Sequence, residues 1–364
     1  MTTKPFLSKA ALSDAIHPRA MHLILLPTEQ CNFRCTYCYE DFDIGRMRPE
    51  LVRGVKTLVD RRIDDLLGIS LSWFGGEPLA AKDIVFDVAE HVQRRCQERG
   101  VTNLGGHLTT NGYLLDLATV ERLCAAEQRT AQISLDGLGA VHDRSRPLAS
   151  GRGSFRRVWD NLLAIRASRH DFRVSLRIHV GVAEEAETAE LCREINRQFG
   201  GDPRFSAYLR LIANWGGANR DSIKSLSGPA GREAVARLAR LLTDIDHNGV
   251  DDGEQYICYA ARPNTWLVRA DGRVGRCTVA LDDPRNTVGH LDESGRLRVD
   301  SDKLRPWLAG LAELDSDLLA CPYGGVRGGP KTSVAPAAGV QTIVLPPRWR
   351  ARGDLPAGTT VGAT

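Results

Sequence analysis

The chain has 364 residues, of which 42% are hydrophobic and 26% charged, a balance typical of a folded globular protein and not of a disordered one. Lys and Arg number 48 against 45 for Asp and Glu, and this net charge of +3 gives no electrostatic case for binding nucleic acid or a membrane surface. No segment approaches the roughly 20 apolar residues of a membrane helix, and the start lacks a signal peptide's apolar region. These features predict a cytoplasmic protein.

Short apolar segments alternate with stretches of helical periodicity between about residues 21 and 213, the βα order that builds parallel sheets. Helices are predicted in the gaps, one beginning at Pro49 and another with Ser154 at its N-cap. Six βα units are enough for an open barrel, so the predicted fold is α/β, a partial (β/α)6 TIM barrel. The strands are predicted near residues 21–27, 69–74, 106–110, 131–136, 172–180 and 205–213.

The second half of the chain indicates a smaller unit after the barrel. A last amphipathic helix is predicted over 228–247, and turn-forming residues follow it. Beyond about residue 328 the composition is rich in Gly, Pro, Ala and Thr, which predicts a mobile tail. The predicted organisation is an N-terminal extension (1–20), the barrel (21–248), a small lobe (249–327) and the tail (328–364).

Three cysteines with x3 and x2 spacing follow the first predicted strand, at Cys31, Cys35 and Cys38. A cubane [4Fe-4S] cluster takes four thiolates, so three from one loop leave one iron open to another ligand. A zinc knuckle is an alternative, but zinc needs a fourth Cys or His and none lies in this loop. Three incidental thiols are the other alternative.

This triplet, with Tyr37 just before the third cysteine, resembles the signature of the radical S-adenosylmethionine (SAM) superfamily. The resemblance implies that the open iron chelates the amino and carboxylate groups of SAM. It also implies that an electron from the cluster splits SAM into methionine and a 5'-deoxyadenosyl radical that abstracts a substrate hydrogen. Tyr37 would lie against the adenine, or alternatively pack the barrel mouth.

Polar residues after the next three strands complete the resemblance. Gly75-Gly76-Glu77 resembles the GGE motif that holds the SAM amino group, and the glycines permit close backbone approach to a ligand. Asn111, Ser134 and Asp136 stand at the carboxyl ends of strands, where barrel active sites lie. By resemblance, Ser134 and Asp136 reach the SAM ribose and Asn111 lines the pocket; ordinary turn capping is the alternative.

Two arginines are candidates for the SAM carboxylate, because a guanidinium can donate two parallel hydrogen bonds to it. Arg146 ends a stretch, His142 to Arg146, that resembles the HDxxR stretch of the peptide-modifying branch. Arg177 in the fifth strand is the second candidate, and a surface salt bridge is the alternative for both. His142 and His179 are interpreted as packing or capping residues, and no catalytic base is assigned.

Cys258, Cys277 and the later Cys321 resemble the start of a SPASM or twitch domain, which holds one or two auxiliary [4Fe-4S] clusters. Gly272 between the first two is expected to turn a hairpin. A full SPASM set needs seven or more cysteines, so three alternatives stay open: one auxiliary cluster, a partial cluster completed by another chain, or a domain without metal. The remaining thiols fall in predicted helices and are interpreted as structural: Cys96, Cys124 and Cys192.

The resemblance implies a maturase that abstracts hydrogen from a ribosomally synthesised peptide to form a cross-link, a thioether or a related modification. It implies as partners the precursor peptide and a reductant such as flavodoxin or ferredoxin. Fewer than about 25 residues precede the first strand, which favours a separate leader-recognition protein. A radical SAM dehydrogenase or mutase acting on a small molecule is the first alternative, and a non-catalytic iron–sulfur electron carrier is the second.

Overall fold

The computed structural model describes residues 9–216, 228–247 and 257–328. All six predicted strands are present and pair in parallel in chain order. The third begins four residues earlier than predicted, because an irregular stretch containing Gly105 at φ +86° still pairs with its neighbour. The strands are β1 (Ala20–Leu25), β2 (Gly68–Trp73), β3 (Thr102–Thr110), β4 (Thr130–Leu135), β5 (Arg173–Val180) and β6 (Phe205–Leu211).

Helices connect these strands, and α2 begins at Pro49 as predicted, with the proline in its first turn. The helix predicted over 228–247 is present but shorter than predicted, since α8 (Gly228–Ala239) ends eight residues earlier and residues 246–247 form β7 (Asp246–His247) beside β6. In the segment between α8 and β7, Asn196 accepts the backbone N–H of Asp244 at 2.8 Å. The helices are α1 (Lys9–Ile16), α2 (Pro49–Arg62), α3 (Lys82–Arg99), α4 (Leu117–Ala125), α5 (Ala140–Ser145), α6 (Phe155–Ala167), α7 (Glu185–Phe199) and α8 (Gly228–Ala239).

The two faces of the sheet differ in character. In β5, Val174, Leu176 and Ile178 are buried in the hydrophobic core, whereas Ser175 and Arg177 point to the opposite face and stay partly accessible. Buried parallel strands are usually apolar on both faces. This alternation therefore separates an apolar outer face from a polar inner face.

The C-terminal lobe continues the same sheet across the free edge of β1. Its first strand pairs in parallel with β1, and the next three are antiparallel. Gly272 lies at φ +89° in the first hairpin, which confirms the predicted turn. The lobe consists of β8 (Thr265–Val268), β9 (Arg273–Gly275), β10 (Gly289–Leu291), β11 (Leu297–Val299), α9 (Ser301–Glu313), α10 (Ser316–Ala320) and α11 (Pro322–Val326).

The parallel sheet core with a C-terminal extension confirms the predicted α/β fold class. The residues on which the domain boundary and the tail were predicted, 248–256 and 329–364, lie outside the described residues. No helix within the described ranges is long and apolar enough to cross a bilayer.

Candidate active site

The three cysteines of the triplet lie on one loop that follows β1, here called the cysteine loop (residues 28–41). Phe33 inserts between them into the core and is 1% exposed. The backbone N–H of Arg34 donates to Pro147 at 2.9 Å, and that of Thr36 donates to Ser145 at 2.9 Å. A polar loop that carries three thiols is thereby fixed at the carboxyl end of the first strand.

The three thiols are the candidate ligands of a multi-iron cluster. Burial raises the pKa of Cys31, Cys35 and Cys38, that of Cys38 to about 12, so the loop needs nearby positive charge to hold thiolates. No group of three or more His, Cys, Asp or Glu in the described ranges converges on one metal ion, as a zinc knuckle would require. In a cubane each thiolate binds a different iron, so the thiolates need not converge.

The two glycines after β2 let the chain pass against the cysteine loop. A Cβ on Gly75, which lies at φ +100°, would stand 2.3 Å from the Thr28 carbonyl oxygen. A Cβ on Gly76 would stand 2.5 Å from the Gln30 carbonyl oxygen. The sequence interpretation assigned this close approach to a ligand, whereas the space is taken by the loop backbone.

Glu77 is fully buried and joins the ends of β2 and β3. Its carboxylate accepts hydrogen bonds from the Leu79 N–H at 3.0 Å, the Thr110 hydroxyl at 2.7 Å and the Asn111 N–H at 2.7 Å. The Asn111 amide in turn donates to the Asn32 side chain at 2.7 Å, within the cysteine loop. Burial raises the pKa of Glu77, and these hydrogen bonds oppose the rise.

A buried polar network lies behind the cysteine loop. The Tyr37 hydroxyl donates to Asp136 at 2.8 Å and accepts from the Arg146 guanidinium at 2.6 Å. The same carboxylate accepts from the Ser145 hydroxyl at 2.6 Å and pairs with His179 Nδ1 at 2.8 Å. Asp136, predicted to reach the SAM ribose, is 1% exposed and anchors its neighbours, a role that the sequence did not indicate.

The buried network pairs one negative carboxylate, Asp136, with one positive guanidinium, Arg146. Burial opposes ionisation of Asp136, but the hydrogen bond from His179 and the positive charge of Arg146 lower its pKa below the ordinary value. Burial and the nearby Arg177 lower the pKa of His179 to about 4, so this imidazole is neutral at pH 7 and donates from Nδ1 to the carboxylate. An ionised Asp136 therefore faces a charged Arg146 across the Tyr37 hydroxyl.

The segment that carries Arg146 is fixed at the start of α6, where Ser154 is the N-cap residue as predicted. The Ser154 side chain, however, makes no capping hydrogen bond. The Asp143 carboxylate accepts the N–H groups of Ser154 and Phe155 instead, at 2.7 and 2.8 Å. The Ser154 hydroxyl donates to the Arg146 carbonyl at 2.6 Å, which holds that residue in place.

Ser134 and Arg177 lie on the inner face of the sheet. They are register partners on β4 and β5, and Arg177 also pairs in register with Tyr208 on β6. Arg146 acts electrostatically on Cys35 and Tyr37, whereas Arg177 acts on Tyr39 and Tyr208. Both arginines also act on His179, so the two candidates lie on either side of the same polar network.

The C-terminal lobe holds the cysteine loop through two buried contacts. Arg269 forms a two-pronged ion pair with Glu29, with distances of 3.1 and 2.5 Å, and the two side chains are 5% and 3% exposed. The Glu29 carboxylate also accepts the Ala270 N–H at 3.3 Å. On the other side of the triplet, the Tyr39 hydroxyl donates to the Thr278 carbonyl at 3.3 Å.

Cys277 lies within electrostatic reach of the other two lobe cysteines, although they are far apart in sequence. Burial raises the pKa of Cys277 to about 12, and the Cys258 and Cys321 thiols add to the rise. The Cys258 N–H donates to the Leu319 carbonyl at 2.8 Å, which brings the loop before β8 against the end of α10. Cys96, Cys124 and Cys192 are buried on helices α3, α4 and α7, as predicted.

Several residues of the site were not found from the sequence. Glu29 and Ser145 act through partners that are distant in the chain, so no local pattern marks them. Glu40, next to the triplet, has a buried carboxylate oxygen without a hydrogen-bond partner in the described ranges, and burial together with Glu29 raises its pKa to about 8. Gln132 and Tyr208 were detectable in principle, because polar residues alternate with apolar ones along β4 and β6.

Residues 25–195 match the family model described as the radical SAM superfamily. The chain therefore contains a radical SAM domain, whose superfamily cofactors are the [4Fe-4S] cluster and SAM. Over 319 residues the chain is 26% identical to a GTP 3',8-cyclase of Microcystis aeruginosa, covering 80% of this chain and 89% of that protein. Over 174 residues it is 27% identical to a serine-type anaerobic sulfatase-maturating enzyme of Klebsiella aerogenes, covering 46% of this chain and only 42% of that protein.

A third relative is the PqqA peptide cyclase of Gluconobacter oxydans, 28% identical over 56% of this chain and 53% of its own length. Among solved structures, native anSMEcpe with bound AdoMet and Cp18Cys peptide superposes with a TM-score of 0.56 at 17% identity, covering 79% of this chain and 80% of that one. Streptococcus suis SuiB bound to precursor peptide SuiA gives a TM-score of 0.53 at 16% identity, covering 80% and 66%. At these identities the likeness establishes the fold.

Proposed function

We propose that this protein is a radical SAM enzyme that acts on a ribosomally synthesised peptide. The observation that carries the proposal is the fixed cysteine loop at the carboxyl end of β1, with three thiols suited to a cluster and polar side chains around them. When bound, the cluster supplies the electron that divides SAM into methionine and the 5'-deoxyadenosyl radical. Hydrogen abstraction from the peptide would then lead to a cross-link, a thioether or a related modification.

Different residues around the cysteine loop would bind different parts of SAM. The Gly75-Gly76-Glu77 segment follows β2 and would receive the amino group through its backbone, with Asn111 beside it, because the Glu77 carboxylate is already bound by three internal donors. Tyr37 would lie against the adenine, and the partly accessible Ser134 would reach the ribose with Asp136 fixing Tyr37 from behind. Arg146 suits the SAM carboxylate better than Arg177 does, because its charge acts on Cys35 in the cysteine loop.

The peptide substrate is supported by three of the similar proteins. One is named as a PqqA peptide cyclase, and two were solved with a bound peptide. In the lobe, Cys258 and Cys321 both act electrostatically on Cys277, and these three thiols are the proposed ligands of an auxiliary cluster. The proposal includes a reductant such as flavodoxin or ferredoxin and a separate leader-recognition protein.

A small-molecule substrate is the second candidate. It is favoured by one observation, the similarity to a GTP 3',8-cyclase over 80% of this chain and 89% of that protein. In this case the same cysteine loop would serve a radical dehydrogenase, mutase or cyclase.

The test is anaerobic reconstitution with iron and sulfide, followed by SAM and a strong reductant. We expect 5'-deoxyadenosine by liquid chromatography and mass spectrometry, and a mass change in a precursor peptide encoded beside this gene. GTP in place of the peptide tests the second candidate. The Cys35→Ala variant should lose all 5'-deoxyadenosine release, while Cys192→Ala, a buried thiol on α7, serves as the matched control. Release that survives in Cys35→Ala would refute the proposal.

A further inference from the structure

The inner face of β4, β5 and β6 is polar and only partly covered. Barrel interiors are ordinarily packed with branched apolar side chains. Buried polar groups cost free energy unless they find hydrogen-bond partners, so such a face needs a ligand or solvent to complete it. By register and strand parity the inner face carries Gln132, Ser134, Ser175, Arg177, Tyr208 and Arg210.

Gln132 supplies the observation that points to a ligand. Its side chain is only 4% exposed, and the Tyr208 hydroxyl donates to its amide oxygen. Its amide nitrogen is buried and has no hydrogen-bond partner among the described residues. This N–H₂ group therefore offers donors to a hydrogen-bond acceptor that the chain itself does not provide.

Two guanidinium groups give the same face a positive charge. Burial raises the pKa of Tyr208, and Arg177 and Arg210 oppose that rise, so both lie within electrostatic reach of the phenol. Arg177 acts in the same way on Tyr39, next to the cysteine triplet. The positive charge thus lies between the inner wall and the loop where radical chemistry is proposed to begin.

We infer that the inner face of β4, β5 and β6 is a substrate subsite for a carboxylate, carried by an Asp or Glu side chain of the peptide. The inference rests on the proposed function and adds the chemistry of the substrate. A carboxylate is an acceptor only, so it can take an N–H from Gln132 and a charge-assisted hydrogen bond from Arg177. A neutral amide, which carries donors of its own, matches this wall less well.

The probes are two capped pentapeptides, acetyl-Gly-Ala-Glu-Ala-Gly-amide and its Gln counterpart, titrated calorimetrically into the reconstituted protein with SAM bound. We expect the Glu peptide to bind about tenfold more tightly than the Gln peptide, because charge-assisted hydrogen bonds are the stronger ones. Free glutarate and GTP form two further arms. Equal affinities for the two peptides, no binding by either peptide, or preferential binding of GTP would overturn the inference.

Variants separate the subsite from the SAM pocket. Arg177→Gln should reduce the preference for the Glu peptide to about twofold or less, whereas Arg193→Gln, an exposed charge on α7, should leave it intact. Gln132→Glu keeps the shape but should repel the Glu peptide and spare the Gln peptide. A loss of SAM affinity in Arg177→Gln as large as the loss of peptide affinity would place that guanidinium on the cofactor and overturn the inference. If the wild-type protein released no 5'-deoxyadenosine from SAM and reductant, that result would instead refute the proposed function.

Discussion

Replacing Glu29 by Gln should weaken the whole fold, because its carboxylate is the buried counter-charge of Arg269. The substitution keeps the size of the side chain but removes a charged acceptor from two guanidinium N–H groups and from the Ala270 N–H. Breaking a buried ion pair on one side leaves an uncompensated charge and costs about 3–5 kcal/mol. At about 1.4 kcal/mol per tenfold, the ratio of folded to unfolded protein should fall more than a hundredfold.

Urea titration under anaerobic conditions, followed by tryptophan fluorescence, measures this free energy of unfolding. The matched control is Glu50→Gln, whose pair with Arg53 is exposed, and there the change should stay within about 1 kcal/mol. The double variant Glu29→Gln with Arg269→Gln should recover part of the loss, since no buried charge is left over. A loss below about 1 kcal/mol in Glu29→Gln would show that the ion pair does not hold the lobe to the cysteine loop.

Three further predictions follow from local geometry. Gly76→Ala should lower the iron bound after reconstitution, because the new Cβ would stand 2.5 Å from the loop backbone, whereas Gly45→Ala, with open space around it, should not. Lowering the pH from 7 to 5 should reduce the free energy of unfolding by about 2 kcal/mol through His22. Burial and then Arg262 lower the pKa of His22 from 6.5 to about 3, so between pH 7 and 5 the unfolded chain binds a proton that the folded protein does not. The His22→Asn variant should lose this part of the dependence of stability on pH. Cys277→Ala should reduce the bound iron by about four atoms per chain if the lobe holds an auxiliary [4Fe-4S] cluster, as we expect, and an unchanged iron content would indicate a domain without metal.

Strands and the cysteine loop could be predicted because their signals are local. Apolar runs of strand length and the spacing of Cys31, Cys35 and Cys38 are visible within a few residues of sequence. The end of α8 was missed because Leu242 and Ile245 continue the apolar periodicity, while the segment that follows the helix is bound by Asn196 on another helix. Periodicity cannot report a partner that lies about 50 residues away.

The chemical roles were harder to predict than the positions. Asp136 and Ser154 stand where the sequence analysis placed them, at a strand end and at a helix start. Their side chains act differently, since Asp136 anchors Tyr37 and the cap of α6 comes from Asp143. A short polar side chain near a strand end can form hydrogen bonds with any of several neighbouring groups. Which of them lies within hydrogen-bond distance depends on the folded backbone.

The pairing of β8 with β1 limits how the molecule can open. Four residues of β1, His22 to Leu25, are in register with β8, so the lobe is joined to the first barrel strand by a ladder of backbone hydrogen bonds. A hinge motion that moved the lobe away from the barrel would break that ladder together with the Glu29–Arg269 ion pair. The opposite end of the sheet is joined by a shorter ladder, since β7 pairs with β6 through only two residue pairs.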